Sequence, residues 1–208
     1  MSSPAKLTPA MRQYMDAKRD LAEGTILLFR MGDFYEMFFD DAKRAAPMMD
    51  VVLTQRAGVP MCGVPHHALR GYVARLLEQG AKVAIAEQME DPKLAKGLVK
   101  RAVTQVITPG TVLDDDVLSA TKSNFLVSIM THRDRYGVGL LDFSTGDFRV
   151  TEIAGLASLE TELHRLQPAE CLVGQAQYEK WEKEGFPDGP ARMAWSPIED
   201  WQYDLEVA

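Results

Sequence analysis

The chain has 208 residues, of which 46% are hydrophobic and 25% charged, with a formal net charge of −7 at pH 7. That length and balance suit one large or two small globular domains, and no apolar run approaches the roughly 18 residues that would span a bilayer. The charge is uneven: residues 1–113 hold 15 Lys and Arg against 12 Asp and Glu, a net of +3, whereas residues 114–208 hold 8 against 18, a net of −10. Phosphate neutralisation drives non-specific DNA binding, so only the first part is a candidate nucleic-acid surface.

Residues 1–7 read as a frayed tail. Thr8-Pro9 follows as a helix cap with proline at the first helical position. Met11, Tyr14, Met15 and Leu21 keep approximate helical spacing, and Gly24 marks a stop. A strand over 25–30 leads into a Gly32-Asp33 turn and an extended Phe34-Tyr35-Glu36 segment. Residues i and i+2 of an extended segment share a face, so Phe34 and Glu36 are expected to project together. The competing reading makes Phe34, Tyr35, Phe38 and Phe39 plain core aromatics. Asp40-Asp41 then opens a second helix limited by Pro47, and Val51–Thr54 reads as a β-branched strand. A helical face built from Leu69, Tyr72, Val73, Leu76 and Leu77 ends at Gly80. Residues 82–88 and 102–108 are strand-like.

Asp114-Asp115-Asp116 and the polar run after it read as a linker, with a solvated hinge favoured over cation binding. Strand-like runs at 124–131, 136–143 and 147–153 form an antiparallel meander. A leucine stripe from Leu156 to Leu166 is helical, 171–173 is a short strand, and 176–184 is a further helix. The expected class is α/β: a mixed-sheet N-terminal domain with packed helices, then a partial ribonuclease-H-like α/β domain. The boundaries are 1–113, a linker at 114–122, and 123–208. Cys62 and Cys171 fall in different domains, so no disulfide framework is implied and the context reads as cytoplasmic. Cys62 reads as a small buried residue rather than a reactive thiol. No basic start leads into an apolar core, which argues against a secretory signal.

Four motifs carry a resemblance. Gly32-Asp-Phe-Tyr-Glu-Met-Phe-Phe-Asp-Asp-Ala42 resembles the N-terminal signature of the bacterial mismatch-recognition family MutS. Pro60–Ala68, Glu87–Pro92 and Val106–Thr111 resemble its second, third and fourth motifs, in the family's order. From residue 123 onward the similarity is weaker and resembles the start of the family's connector domain, through 141–147 and 168–170.

The resemblance implies a module that binds mismatched double-stranded DNA. The ring matching Phe34 enters from the minor groove and stacks beside a mispaired base, and the carboxylate matching Glu36 bonds to that base. Met31, Asp33, Arg56 and Arg101 match positions near the DNA, and His66 with His67 lies in the motif placed by the duplex backbone. Arginines at such sites would hold phosphates and set register. Further implied partners are other mismatch repair proteins, through the connector domain, and a second copy in the full-length family. ATP and magnesium belong to that full-length family, a DNA-dependent ATPase. No Gly-x-x-x-x-Gly-Lys-Ser/Thr loop occurs here, so this chain is expected to hold no cofactor and not to be an enzyme by itself.

The connection from Arg56 to Pro60 is shorter than in many relatives, and the lever, clamp and ATPase regions are absent, so the chain reads as a fragment, a truncated product or a stand-alone relative. Two rival readings stand beside this one. A ribonuclease-H-like, metal-dependent nuclease would use Asp142 with Asp147 or Glu170. A protein-docking fragment without DNA binding would draw on the acidic second half. The adjacent His66 and His67 make a poor shared metal site, and no Cys/His spacing supports zinc.

Overall fold

A computed structural model describes residues 7–90, 97–111 and 124–204. The expected tail, apart from Leu7, and the 114–122 linker with its three aspartates lie outside the described residues. The chain divides into two compact units, Met1–Ile107 and Thr108–Ala208.

The first unit opens with helix α1 (Pro9–Arg19), whose Thr8 hydroxyl accepts from the Met11 N–H. Gly24 lies beyond its end, in a left-handed turn that leads into strand β1 (Ile26–Met31). Then come β2 (Phe34–Phe38), helix α2 (Phe39–Met49), β3 (Thr54–Arg56), β4 (Val59–Pro65), a short 3-10 turn at His66–Ala68, helix α3 (Leu69–Glu78), β5 (Val83–Gln88) and β6 (Arg101–Ile107). The six strands lie in the order β3-β4-β2-β1-β5-β6, with β1 and β5 parallel and the other neighbours antiparallel. This is a mixed sheet, as the sequence predicts.

Ile26, Leu27, Leu28 and Phe29 are all buried, which means that β1 is covered on both faces. On one face Met11 and Tyr14 of α1 pack against Leu27, Phe29, Phe38, Val59, Ala84 and Ala86. On the other, the Cys62 thiol meets the Ala42 carbonyl of α2. Burial, with a smaller contribution from Asp41, pushes the Cys62 thiol up to about 11, as expected of an inert core residue. The junction of α1, α2 and β1 is polar. Asp41, 5% exposed, accepts from the Tyr14 hydroxyl at 2.6 Å, Lys18 Nζ at 2.7 Å and the Leu27 N–H at 3.0 Å.

Two sequence expectations shift here, and one strand is added. Helix α2 runs two residues past Pro47, because a proline in the last turn forfeits one hydrogen bond while Asp50, in the left-handed region, caps the end onto Ala46 and Pro47. Residues 51–53 are not strand: Val52 is 82% exposed and pairing starts only at Thr54. Strand β4 went unread because Pro60, Gly63 and Pro65 argue against a strand. It nevertheless pairs with β3 on one side and β2 on the other.

The second unit contains a 3-10 turn at Pro109–Thr111, strands β7 (Phe125–His132), β8 (Arg135–Asp142) and β9 (Asp147–Ala154), helix α4 (Leu156–Leu166), β10 (Glu170–Gly174), helix α5 (Gln175–Glu184) and β11 (Ala194–Ile198). A further 3-10 turn covers Asp200–Tyr203. The sheet order is β11-β10-β7-β8-β9, with β7, β8 and β9 antiparallel and β10 and β11 parallel additions beside β7. That is the expected ribonuclease-H-like arrangement. Leu159, Leu163 and Trp181 of the helices pack on Val127, Ile129, Val138, Leu140 and Val173. Strand β11 was not legible, since Pro197 interrupts its pattern; it sits at the sheet edge, where proline is tolerated.

Candidate nucleic-acid interface

The β1–β2 hairpin turns through Gly32 and Asp33, with Met31 opposite Phe34. Gly32 has φ +63°, at the first of the two turn positions, where type II′ hairpins place glycine. The Arg30 Nε donates to the Gly32 carbonyl. From the far side, the His66 N–H donates to the Asp33 carbonyl at 2.9 Å, and its Nδ1 lies 3.2 Å from the same oxygen. The turn is thereby tied to the end of β4 as well as to its own strands.

Alternation along β2 then sets the site. Tyr35 and Met37 point to the α2 side and are buried, whereas Phe34, Glu36 and Phe38 share the α1 side. On that side only Phe38 is sealed in the core. Phe34, beyond the reach of α1, keeps 48% of its surface exposed. Glu36 lies between the two, and its side chain, 13% exposed, pairs with Arg56 Nη1 at 2.5 Å. Arg56 closes β3 at a two-residue turn whose Ala57 and Gly58 both have positive φ. Gly63 lies opposite Glu36, and a Cβ there would sit 3.3 Å from the Tyr35 carbonyl oxygen and 3.5 Å from Glu36 Cγ. A glycine lets the Glu36 side chain lie close over β4.

The backbone beneath is braced from both faces. Tyr35 donates its hydroxyl to Glu87 on β5, and the Arg30 guanidinium lies 5.2 Å from its ring. Burial raises the Tyr35 phenol, and Glu87 adds to the shift. On the Phe34 side, Arg101 donates to the Arg30 carbonyl at 2.5 Å, to the Val99 carbonyl at 2.9 Å and to the Gln13 amide oxygen at 3.1 Å. Its guanidinium stands over the Phe29 ring at 5.3 Å. Burial lowers its pKa, opposed by the nearby Glu36 charge. The fold thus gathers all seven predicted positions around one hairpin: Phe34, Glu36, Met31, Asp33, Arg56, His66 and Arg101. The supports Arg30, Tyr35, Glu87, Gln13 and Gly63 were not singled out as site residues. Tyr35 with Glu87, and Arg101 with Gln13, are distant in sequence, and only the strand register and the packing of α1 join them.

The carboxylates of the nuclease reading are engaged elsewhere. Asp142 accepts from the Ser144 N–H at 2.9 Å and the Ser144 hydroxyl at 2.6 Å, and these bonds lower its pKa. Asp147 pairs with Arg149 at 2.6 Å. Glu170, buried, accepts from the Ser196 hydroxyl at 2.5 Å and the Gly110 N–H at 3.0 Å. Among the described residues no three His, Cys, Asp or Glu side chains converge as a metal site. No described helix is long and apolar enough to cross a membrane.

Comparisons with known proteins identify the family. The family model for MutS domain I matches residues 8–116 and that for MutS domain II matches residues 124–208. A DNA mismatch repair protein MutS from Desulfatibacillum aliphaticivorans is 48% identical over 199 residues, covering 93% of this chain and 22% of the relative. Those of Myxococcus xanthus and Desulforamulus reducens are 50% and 52% identical, over 81% and 80% of this chain and 19% and 20% of their own lengths. The chain therefore spans about a fifth of the relatives it matches. With both of its halves matched in order, it belongs to the MutS family.

Proposed function

We propose that this chain is a mismatched-DNA-binding module of DNA mismatch repair, in which Phe34 inserts beside a mispaired or unpaired base and Glu36 hydrogen-bonds that base. The observation that carries the reading is a half-exposed ring at the tip of a hairpin braced on both faces, with a carboxylate on the same side. Inserting a wedge costs roughly a few kcal/mol of unstacking per step, and less where pairing is already lost. Such a ring selects loose steps without reading which bases form them, and the kink adds a test of deformability. Glu36 is repelled by phosphates unless a base donor meets it, so it penalises matched duplex.

Arg56, with 46% of its side chain exposed, is the arginine placed to take a phosphate. Arg101 contributes chiefly by fixing β1 beneath the wedge, its Nε and Nη1 being engaged within the protein. His66 and Asp33 hold the turn near the duplex backbone, and Met31 lies opposite Phe34 at the hairpin end. The module acts without catalysis and without a cofactor of its own; ATP use belongs to other parts of the whole protein. The proposed setting is the cytoplasm, with the second unit contacting other repair proteins and the whole protein pairing with a second copy.

The test is fluorescence anisotropy at low salt, with matched, G·T and unpaired-base duplexes. Base–aromatic stacking is worth about 1–3 kcal/mol. Phe34→Ala should therefore abolish the preference for defective duplex and leave weak, salt-sensitive binding. Equal discrimination by both proteins would overturn the wedge.

A further inference from the structure

The Glu36–Arg56 pair links β2 to β3 across the intervening strand β4. Its carboxylate is tucked in at 13% exposure, while its guanidinium stands at the rim at 46%. Glu36 belongs to β2, which has strands on both sides; Arg56 ends β3, the outermost strand. A second cation, Arg101, faces Glu36 but is fixed by its bonds to Arg30, Val99 and Gln13. Of these two cations, Arg56 is the one that can change partner without disturbing the sheet.

We infer that Arg56 is a positioning residue that restrains Glu36 in the DNA-free protein and is exchanged to a backbone phosphate when a duplex arrives. A guanidinium bonds phosphate with the same fork that it offers a carboxylate, so one contact replaces the other. Glu36 is then left without its main partner, in a negative groove. A mispaired base with an unused N–H relieves it; a matched pair does not. Discrimination thus depends on releasing Glu36 at the moment the backbone is engaged. This rests on the wedge-and-probe reading above and specifies how the probe is switched on.

The test is a double-mutant cycle on matched duplex with wild type, Arg56→Gln, Glu36→Gln and the double variant. Breaking the pair offsets part of the phosphate loss in the wild-type background. Arg56→Gln should therefore weaken binding about twofold to fivefold more when Glu36 is already Gln, the size expected of a half-exposed pair. Nitrogen-15 NMR of the DNA-free protein should show hindered rotation of the Arg56 guanidinium, relieved by Glu36→Gln. An additive cycle, or guanidinium signals indifferent to Glu36→Gln, overturns the exchange. The Phe34→Ala arm separates the two ideas. If it removes mismatch preference while the cycle is additive, the exchange fails and the wedge stands. If mismatch preference survives Phe34→Ala, or no variant binds duplex, the underlying reading fails and takes the exchange with it.

Discussion

Tyr35 and Glu36 are adjacent in sequence and lie on opposite faces of the sheet: one is locked on the α2 side, the other is paired with Arg56 on the α1 side. The outward pair, Phe34 and Glu36, was legible from the sequence because period-two alternation needs only a correctly assigned strand. The inward bracing was not, since Tyr35 finds Glu87 across two intervening pairings. Replacing Glu36 with Gln keeps the shape and removes the charge. Affinity for matched duplex should rise and the ratio of mismatched to matched binding should fall, read by competition anisotropy; an unchanged ratio would contradict the probing role. Asp142 shows a carboxylate used structurally. Its pKa is depressed by the Ser144 hydroxyl, so its stabilisation is present above the ordinary carboxylate range and is lost as pH falls through the lower folded value. The second unit should lose stability below about pH 4, and Asp142→Asn should flatten that acid limb in urea titrations.

At the level of elements, amphipathic stretches were readable and irregular ones were not. Helices α1, α3 and α4 announce themselves by leucine and methionine spacing with glycine or polar stops, and the β7–β8–β9 meander by its turns. Strands β4 and β11 carry proline, and their identity comes from neighbours that supply pairing partners. The Arg56–Pro60 connection is short because it is a hairpin turn, with Ala57 and Gly58 at its tip. What joins the elements of the first unit is the Asp41 network. Asp41→Asn keeps one acceptor oxygen for Tyr14 and Leu27 but turns an NH2 donor toward Lys18 and strands its charge, which is partly solvated. A loss of about 2 kcal/mol is expected, below the usual figure for a fully buried pair.

For the whole molecule, the division into units gives that substitution a selective readout. All three tryptophans, Trp181, Trp195 and Trp201, lie in the second unit. Asp41→Asn should bring forward the first unit's loss of circular dichroism by roughly 10 °C and leave the tryptophan transition where it was. A tryptophan midpoint that moved with it would mean that the two cores unfold as one. Charge follows the same division, with the net-positive half carrying the proposed DNA face. The family was legible at this scale through ordered motifs, while the contacts within the candidate site needed the register of six strands.

Strand β2 passes directly into α2, with Phe39 alone, at φ +56°, making the corner. There is no slack between the hairpin tip and the helix to absorb a change in spacing. A one-residue slip of β2 would carry Tyr35 and Met37 to the α1 side and Phe34 and Glu36 to the α2 side. For the fold, exchanging an exposed side chain on this short ribbon costs less than altering the residue count.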